Sequence, residues 1–244
     1  MHDYGPDTYG DRIADVYDRL YDKLFDKEGA VSFLAERVGA GPALELGIGT
    51  GRIALPLKAR GIDVHGIDAS PKMIERLRAK PDGEDIPITL GDFAEFSLPQ
   101  TYPLIYVVFN TLFALTNQED QIRCIENVVK HLDADGLFVV EAFIPDISRF
   151  VRHQNTEVMH VETDEVMISF GRHDPVGQVI RTMHVLFTPE GTNLYPIALR
   201  YVYPSELDLM ARAAGLALRE RYENWRLDPL TSDSKGHVSV YGKA

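Results

Sequence analysis

Residues 43–52 read Ala43-Leu44-Glu45-Leu46-Gly47-Ile48-Gly49-Thr50-Gly51-Arg52. The first four form a short apolar run broken only by Glu45, the pattern of a buried strand, and three glycines follow at alternate positions. Glycine lets the backbone turn tightly there and pass close to a ligand. The helix expected over 52–60 opens with free N–H donors for polar ligand groups. Gly-x-Gly-x-Gly alone is weak evidence. It gains weight from Asp68, which follows the next expected strand at 62–67, where an α/β nucleotide site places its acceptor for ribose hydroxyls. A dinucleotide fingerprint needs its third glycine one residue later, and that position is Arg52.

Working outward, strand and helix alternate. Ser70-Pro71 predicts a helix start, with Ser as N-cap and Pro at the first helical position. Further strands are expected at 86–90, 104–109 and 137–142, with an amphipathic helix over 118–132. Such alternation implies βαβ units and a parallel sheet covered by helices. Ahead of it, Ile13, Val16, Tyr17, Leu20, Tyr21 and Leu24 recur on one helix face. Asp11, Asp15, Asp18, Asp22 and Asp26 lie opposite and read as a solvated row. A second helix is expected at 30–38, stopping at Gly39 and Gly41. After 142 the period changes: 157–170, 177–188 and 193–203 read as three strands of an antiparallel meander, with turns at 173–177 and 189–193. Helix (204–214) and strands (216–225, 237–242) close the chain. The expectation is a single domain over 1–244, with a helical cover (1–41), a cofactor-binding core (42–142), an antiparallel substrate insertion (143–203) and a C-terminal part of the core (204–244).

The chain has 244 residues, 45% of them hydrophobic, and a formal charge of −12. No stretch approaches the ~20 apolar residues of a membrane span, and residues 1–7 lack the basic and apolar regions of a signal peptide. Cys124 is the only cysteine, which leaves no intrachain disulfide and no multi-thiolate metal site. Histidine spacing matches no metal motif. The negative balance speaks against a partner with a phosphate backbone. These features point to a cytoplasmic enzyme acting on a small molecule, without nucleic acid or membrane, with a second copy of the chain as a candidate partner.

The run Glu45-x-Gly47-x-Gly49-x-Gly51 resembles motif I of the class I S-adenosylmethionine-dependent methyltransferases, and Gly91-Asp92-Phe93 and Leu132-Asp133-Ala134-Asp135-Gly136 follow in that family's order. The resemblance implies a Rossmann-like, seven-stranded, mostly parallel sheet whose last strand is antiparallel, and S-adenosyl-L-methionine as cofactor. It implies that Glu45 belongs to the methionine-amine site, that Gly47, Gly49 and Gly51 flank the cofactor, that Asp68 and Ala69 meet the ribose, and that Gly91, Asp92, Phe93 and Met73 lie near adenine; Met73 and Phe93 read equally well as core. The N-terminal Asp15-Val16-Tyr17-Asp18-Arg19-Leu20-Tyr21 and the meander are similar to those of N,N-dimethyltransferases of nucleotide-linked amino sugars. Mapped onto this chain, Tyr17 and Tyr21 face the reactive methyl, or are simply the core face of their helix. Asn110 after the fourth strand stands where DNA amino-methyltransferases carry Asn-Pro-Pro-Tyr, without the prolines; it orients the acceptor or the cofactor carboxylate, or caps the next segment. Glu141, at the end of the fifth strand, is a candidate catalytic carboxylate, or else helps to hold the insertion. Phe113, His160 and Arg181 are candidate substrate contacts; His160, His173 and His184 are also candidate general bases, or satisfied polar residues of their strands, and Arg172, Arg181 and Arg200 either clamp a substrate phosphate or carboxylate or pair across strands at the surface. Alternatives are aminopropyl transfer, a non-catalytic cofactor-binding protein and a nicotinamide oxidoreductase.

Overall fold

The computed structural model describes residues 4–22 and 25–244; Leu24 of the expected N-terminal helix face lies outside them. The main sheet has seven strands: β1 (Ala43–Leu46), β2 (Val64–Asp68), β3 (Ile88–Leu90), β4 (Tyr102–Val107), β5 (Leu132–Phe143), β10 (Leu216–Tyr222) and β11 (Gly236–Lys243). Their order is β10-β11-β5-β4-β1-β2-β3. β11 pairs antiparallel with both of its neighbours, β10 and β5, and the pairs among β1 to β5 are parallel. Helices α3 (Lys27–Ala35), α4 (Ala54–Ala59), α5 (Pro71–Arg78), α6 (Gln118–His131) and α7 (Pro204–Ala213) complete the α/β layers. Ser70 caps α5 as expected, its Oγ accepting the Met73 N–H at 3.2 Å.

Strand β1 is buried along its whole length, because both faces of the sheet are covered. Leu44 and Leu46 enter a core with Ile105, Phe138 and α6, while Ala43 joins Leu104, Tyr106, Val139 and α3 on the other face. The connection from β3 passes back over β1 to place β4 on its far side, so the order reverses between β1 and β4. The crevice beyond the carboxyl ends of these two strands is where open α/β sheets bind ligands.

Two sequence expectations change. The single N-terminal helix is two, α1 (Thr8–Ile13) and α2 (Tyr17–Tyr21), and the break lets its aspartates reach two different turns of the core. The meander has four strands instead of three: β6 (Gln154–Val161), β7 (Val166–Asp174), β8 (Val179–Thr188) and β9 (Gly191–Arg200) form a separate antiparallel sheet in that order. The missed turn, Glu162-Thr163-Asp164-Glu165, carries neither Gly nor Pro and closes through the Glu162 N–H to Glu165 C=O bond at 2.7 Å. A small core of Ile13, Tyr21, Met73, Met167, Leu186 and Tyr195 binds this sheet to the N-terminal helices.

Candidate functional site

A cavity of about 290 Å³ occupies the crevice between β1 and β4 and has three walls. The core supplies Gly47, Gly49, Ala69, Met73, Asp92, Phe93, Phe109, Asn110 and Thr111; the N-terminal segment supplies Tyr4, Tyr9, Tyr17 and Tyr21; the second sheet supplies Met159, His184, Ile197 and Leu199. A smaller chamber beside it shares Tyr17, Gly47, Gly49 and Phe109 and adds Glu45 and Arg52. The structure thus gathers Tyr17, Tyr21, Gly47, Gly49, Ala69, Met73, Asp92, Phe93 and Asn110 round one space, with Glu45 adjoining.

The turn after β1 is built for close approach. Gly47 has φ of 73°, and any side chain there would run into Thr111. Asp68 fixes the turn: one carboxylate oxygen accepts the Gly49 N–H at 2.7 Å and the other the Ser70 N–H at 2.8 Å. Burial raises the Asp68 pKa, and these N–H groups counter the rise. Glu45 is buried and accepts a hydrogen bond from the Tyr106 hydroxyl at 3.0 Å. Burial pushes its pKa up to about 8 against the stabilising Tyr106 bond.

The opposite lip follows β4. Phe109 and Asn110 have φ of 57° and 63°, a conformation that costs non-glycine residues free energy and needs support. Glu141 and its neighbour give it: the Glu141 carboxylate accepts the Phe109 N–H, its main-chain carbonyl accepts the Asn110 N–H at 3.3 Å, and the Phe143 N–H donates to Asn110 Oδ1 at 2.6 Å. Burial pushes Glu141 up to about 7. On the N-terminal wall, the Tyr9 hydroxyl donates to the Tyr21 hydroxyl at 3.0 Å, and Tyr21 meets Phe109 edge to face with centroids 5.6 Å apart.

Several expected site residues stand elsewhere. Glu141 braces the lip from behind and is absent from the cavity wall, because its carboxylate is spent on backbone. Phe113 is fully buried in the core against Phe143. His160 is held by Glu165 at 2.7 Å, which also pairs with Arg19, and Arg181 is exposed opposite Arg172 on the outer face of the second sheet. Arg200 is buried as a brace between Gln121 and Glu206. His173 bonds the Tyr201 hydroxyl at 2.8 Å. Gly51, Asp68 and Gly91 do not border the cavity; Gly51 makes room for Leu77, which a side chain there would meet at 2.9 Å, and the Asp68 carboxylate is turned to backbone N–H groups. Nor is the acidic row simply solvated: Asp11 accepts the Ser70 hydroxyl at 2.6 Å, Asp15 pairs with Arg76, and Asp18 takes Thr50 Oγ1 at 2.5 Å and Lys80 Nζ at 2.6 Å.

Sequence reading missed Tyr9, Phe109 and Arg52. Phe109 ends an apolar run and looked like strand interior, and Arg52 registered only as the place where a glycine is absent. The guanidinium carbon of Arg52 lies 4.7 Å from the Tyr17 ring centre and 4.4 Å from that of Phe109, within cation–π range of both. His184 was one of several histidines without a distinguishing signal. It lines the cavity with its Nδ1 buried and unpartnered among the described residues, and burial lowers its pKa.

Comparison with known proteins is consistent with this geometry. Residues 43–136 match the family described as a methyltransferase domain. The CcbJ methyltransferase from Streptomyces caelestis is 39% identical and superposes with a TM-score of 0.93 over 99% of this chain and 100% of its own. The cypemycin N-terminal methyltransferase of a Streptomyces species is 23% identical over 96% of this chain and 97% of its own. An amino pentose methyltransferase of calicheamicin biosynthesis from Micromonospora echinaspora, solved with S-adenosylmethionine bound, shares the fold at 20% identity, with a TM-score of 0.70 over 94% of this chain and 97% of its own.

Proposed function

The chain belongs to the S-adenosylmethionine-dependent methyltransferases, and we propose that it methylates nitrogen or oxygen of a small metabolite, foremost the amine of an amino sugar. One observation carries this reading: residues of the second sheet close the same cavity that the glycine turn and the N-terminal tyrosines border. In this reading residues 143–203 are the substrate platform, residues 1–41 the cover and residues 42–142 the cofactor core.

The side chains present suit the cofactor. Gly47 and Gly49 leave backbone open to the cavity, Glu45 is a buried acid beside it, and Asp68, set back from the cavity wall, holds the turn in shape through the Gly49 and Ser70 N–H groups. When bound, S-adenosylmethionine supplies an electrophilic methyl on sulfonium sulfur. Tyr17, Tyr21 and Phe109 present aromatic faces and edges that favour a cation. The three walls exclude water and fix the acceptor, which supplies much of the acceleration of a displacement reaction. Asn110, its Oδ1 engaged by Phe143, has its amide NH₂ left for the acceptor. His184 offers a neutral imidazole on the acceptor wall. The aminopropyl alternative is disfavoured by the buried acid at Glu45, which suits a cofactor that keeps its amino-acid end.

A mass-spectrometric screen with isotope-labelled S-adenosylmethionine and amino-sugar, phenol and amino-acid acceptors tests the reading. Labelled methyl on an amino sugar supports it. Methyl only on phenols or amino acids, or none on any acceptor despite tight cofactor binding, refutes the amino-sugar assignment.

A further inference from the structure

The terminal nitrogens Nη1 and Nη2 of Arg52 are buried and have no hydrogen-bond partner among the described residues. A guanidinium does not shed its charge under any ordinary condition, so burial cannot be relieved by deprotonation. The two rings beside it, Tyr17 and Phe109, satisfy its faces and leave the forked N–H edge without an acceptor. That edge matches the two oxygens of a carboxylate.

The carboxylates around it are already engaged. Glu45 shares the chamber, but it takes the Tyr106 hydroxyl and forms no ion pair with Arg52. Asp68 holds two backbone N–H groups, Glu141 holds Phe109, and Asp18 holds Thr50 and Lys80. The missing anion therefore comes from a ligand. Resting on the cofactor assignment above, we propose that Arg52 receives the carboxylate of the cofactor's amino-acid end in a two-pronged pair, gripped between Tyr17 and Phe109. The amino-acid end then meets the Glu45 carboxyl group and the Arg52 guanidinium within one small chamber, with the guanidinium opposite its carboxylate. The grip also links cofactor binding to the N-terminal cover, since one of the two rings belongs to α2. An acceptor carboxylate has the same chemistry, and the test separates the two sources.

Calorimetry on the full chain uses S-adenosylhomocysteine and 5′-methylthioadenosine, which lacks the amino acid. Arg52→Gln is expected to weaken S-adenosylhomocysteine binding by about tenfold to a hundredfold, the range for a charge-assisted pair, and to leave methylthioadenosine within about twofold. Arg52→Lys recovers part of the loss. For a variant that folds poorly, the carboxamide of S-adenosylhomocysteine makes the same cut from the ligand side: wild-type protein loses a comparable factor. An equal loss for both nucleosides, or unchanged S-adenosylhomocysteine binding, overturns the proposal, and the latter leaves Arg52 for an acceptor carboxylate. Wild-type protein that binds neither nucleoside overturns the cofactor assignment itself.

Discussion

Asp18 of the N-terminal helix α2 accepts a hydrogen bond from Thr50 in the glycine turn at 2.5 Å, while Lys80 approaches the same carboxylate at 2.6 Å. A residue that reads as surface acid thus latches the cover to the turn that borders the cavity. Thr50 is buried, so its hydroxyl needs this partner. Asp18→Ala is expected to speed hydrogen exchange of residues 8–22 by about tenfold, with much smaller change in the main sheet, because local opening is governed by such local ties. Unchanged exchange in 8–22 would show that the small core around Ile13 and Tyr195 holds the cover alone.

Glu45 gives a pH prediction. Its pKa is raised from the ordinary carboxylate range to about 8 by burial, so at neutral pH the folded chain keeps a proton that the unfolded chain has lost. Its contribution to stability is full below the unfolded pKa of about 4.5 and declines as pH rises to about 8. Glu45→Gln does not titrate. The melting temperature of the ligand-free variant minus that of wild type is therefore expected to climb between about pH 5 and pH 8, then level off. A flat difference across that window would show that Glu45 is ionised in the folded protein.

Tyr21 accepts the Tyr9 hydroxyl proton, which leaves its own O–H directed to another acceptor. Tyr21→Phe keeps the ring that packs on Phe109 and removes only that donor. Turnover is expected to fall about tenfold or more while S-adenosylhomocysteine affinity stays within about threefold, the split expected when a group acts on the reacting centre and not on binding. Equal kinetics would return Tyr21 to a packing role.

His184 is expected to be neutral at pH 7, since burial lowers its pKa. With Nδ1 buried and unpartnered among the described residues, the proton belongs on Nε2, because a buried N–H without an acceptor is rarer than a buried lone pair without a donor. Nitrogen-15 NMR of wild type and His184→Gln identifies the ring and its tautomer. An imidazolium, or a proton on Nδ1, would contradict the assignment.

Asp68 is doubly committed, to Gly49 and to Ser70. Asp68→Ala is expected to lower both stability and S-adenosylhomocysteine affinity, each by about 1–3 kcal/mol, as read by thermal melts and calorimetry. Loss of affinity without loss of stability would mean that the turn holds its shape unaided.

The alternating elements from β1 to α6 were legible because each rests on a period carried by neighbouring residues, and the cap Ser70-Pro71 names its own helix start. The glycine turn was legible for the same reason. The fourth strand of the second sheet was hidden because the Glu162–Glu165 turn has no residue that marks a turn. Phe113 and Phe109 are both aromatic residues within a few positions of one strand end, yet the first is core and the second is cavity wall; only the left-handed backbone at Phe109 and Asn110 separates them. His160 on β6 and His184 on β8 belong to one sheet, and nothing local says that the first finds Glu165 while the second lines the cavity.

By itself the sequence determined the strand–turn–helix unit at 43–59, the alternation that makes the sheet, and the family those residues resemble, since short-range periodicity and backbone freedom decide such features. Tertiary structure alone decided which side chains share the cavity, which carboxylates are spent on backbone, and that the Arg52 guanidinium has no hydrogen-bond partner among the described residues. Those outcomes depend on distance between segments far apart in the chain: α2, the turn after β1, the lip after β4 and the second sheet meet only once the sheet has reversed its order and drawn them together.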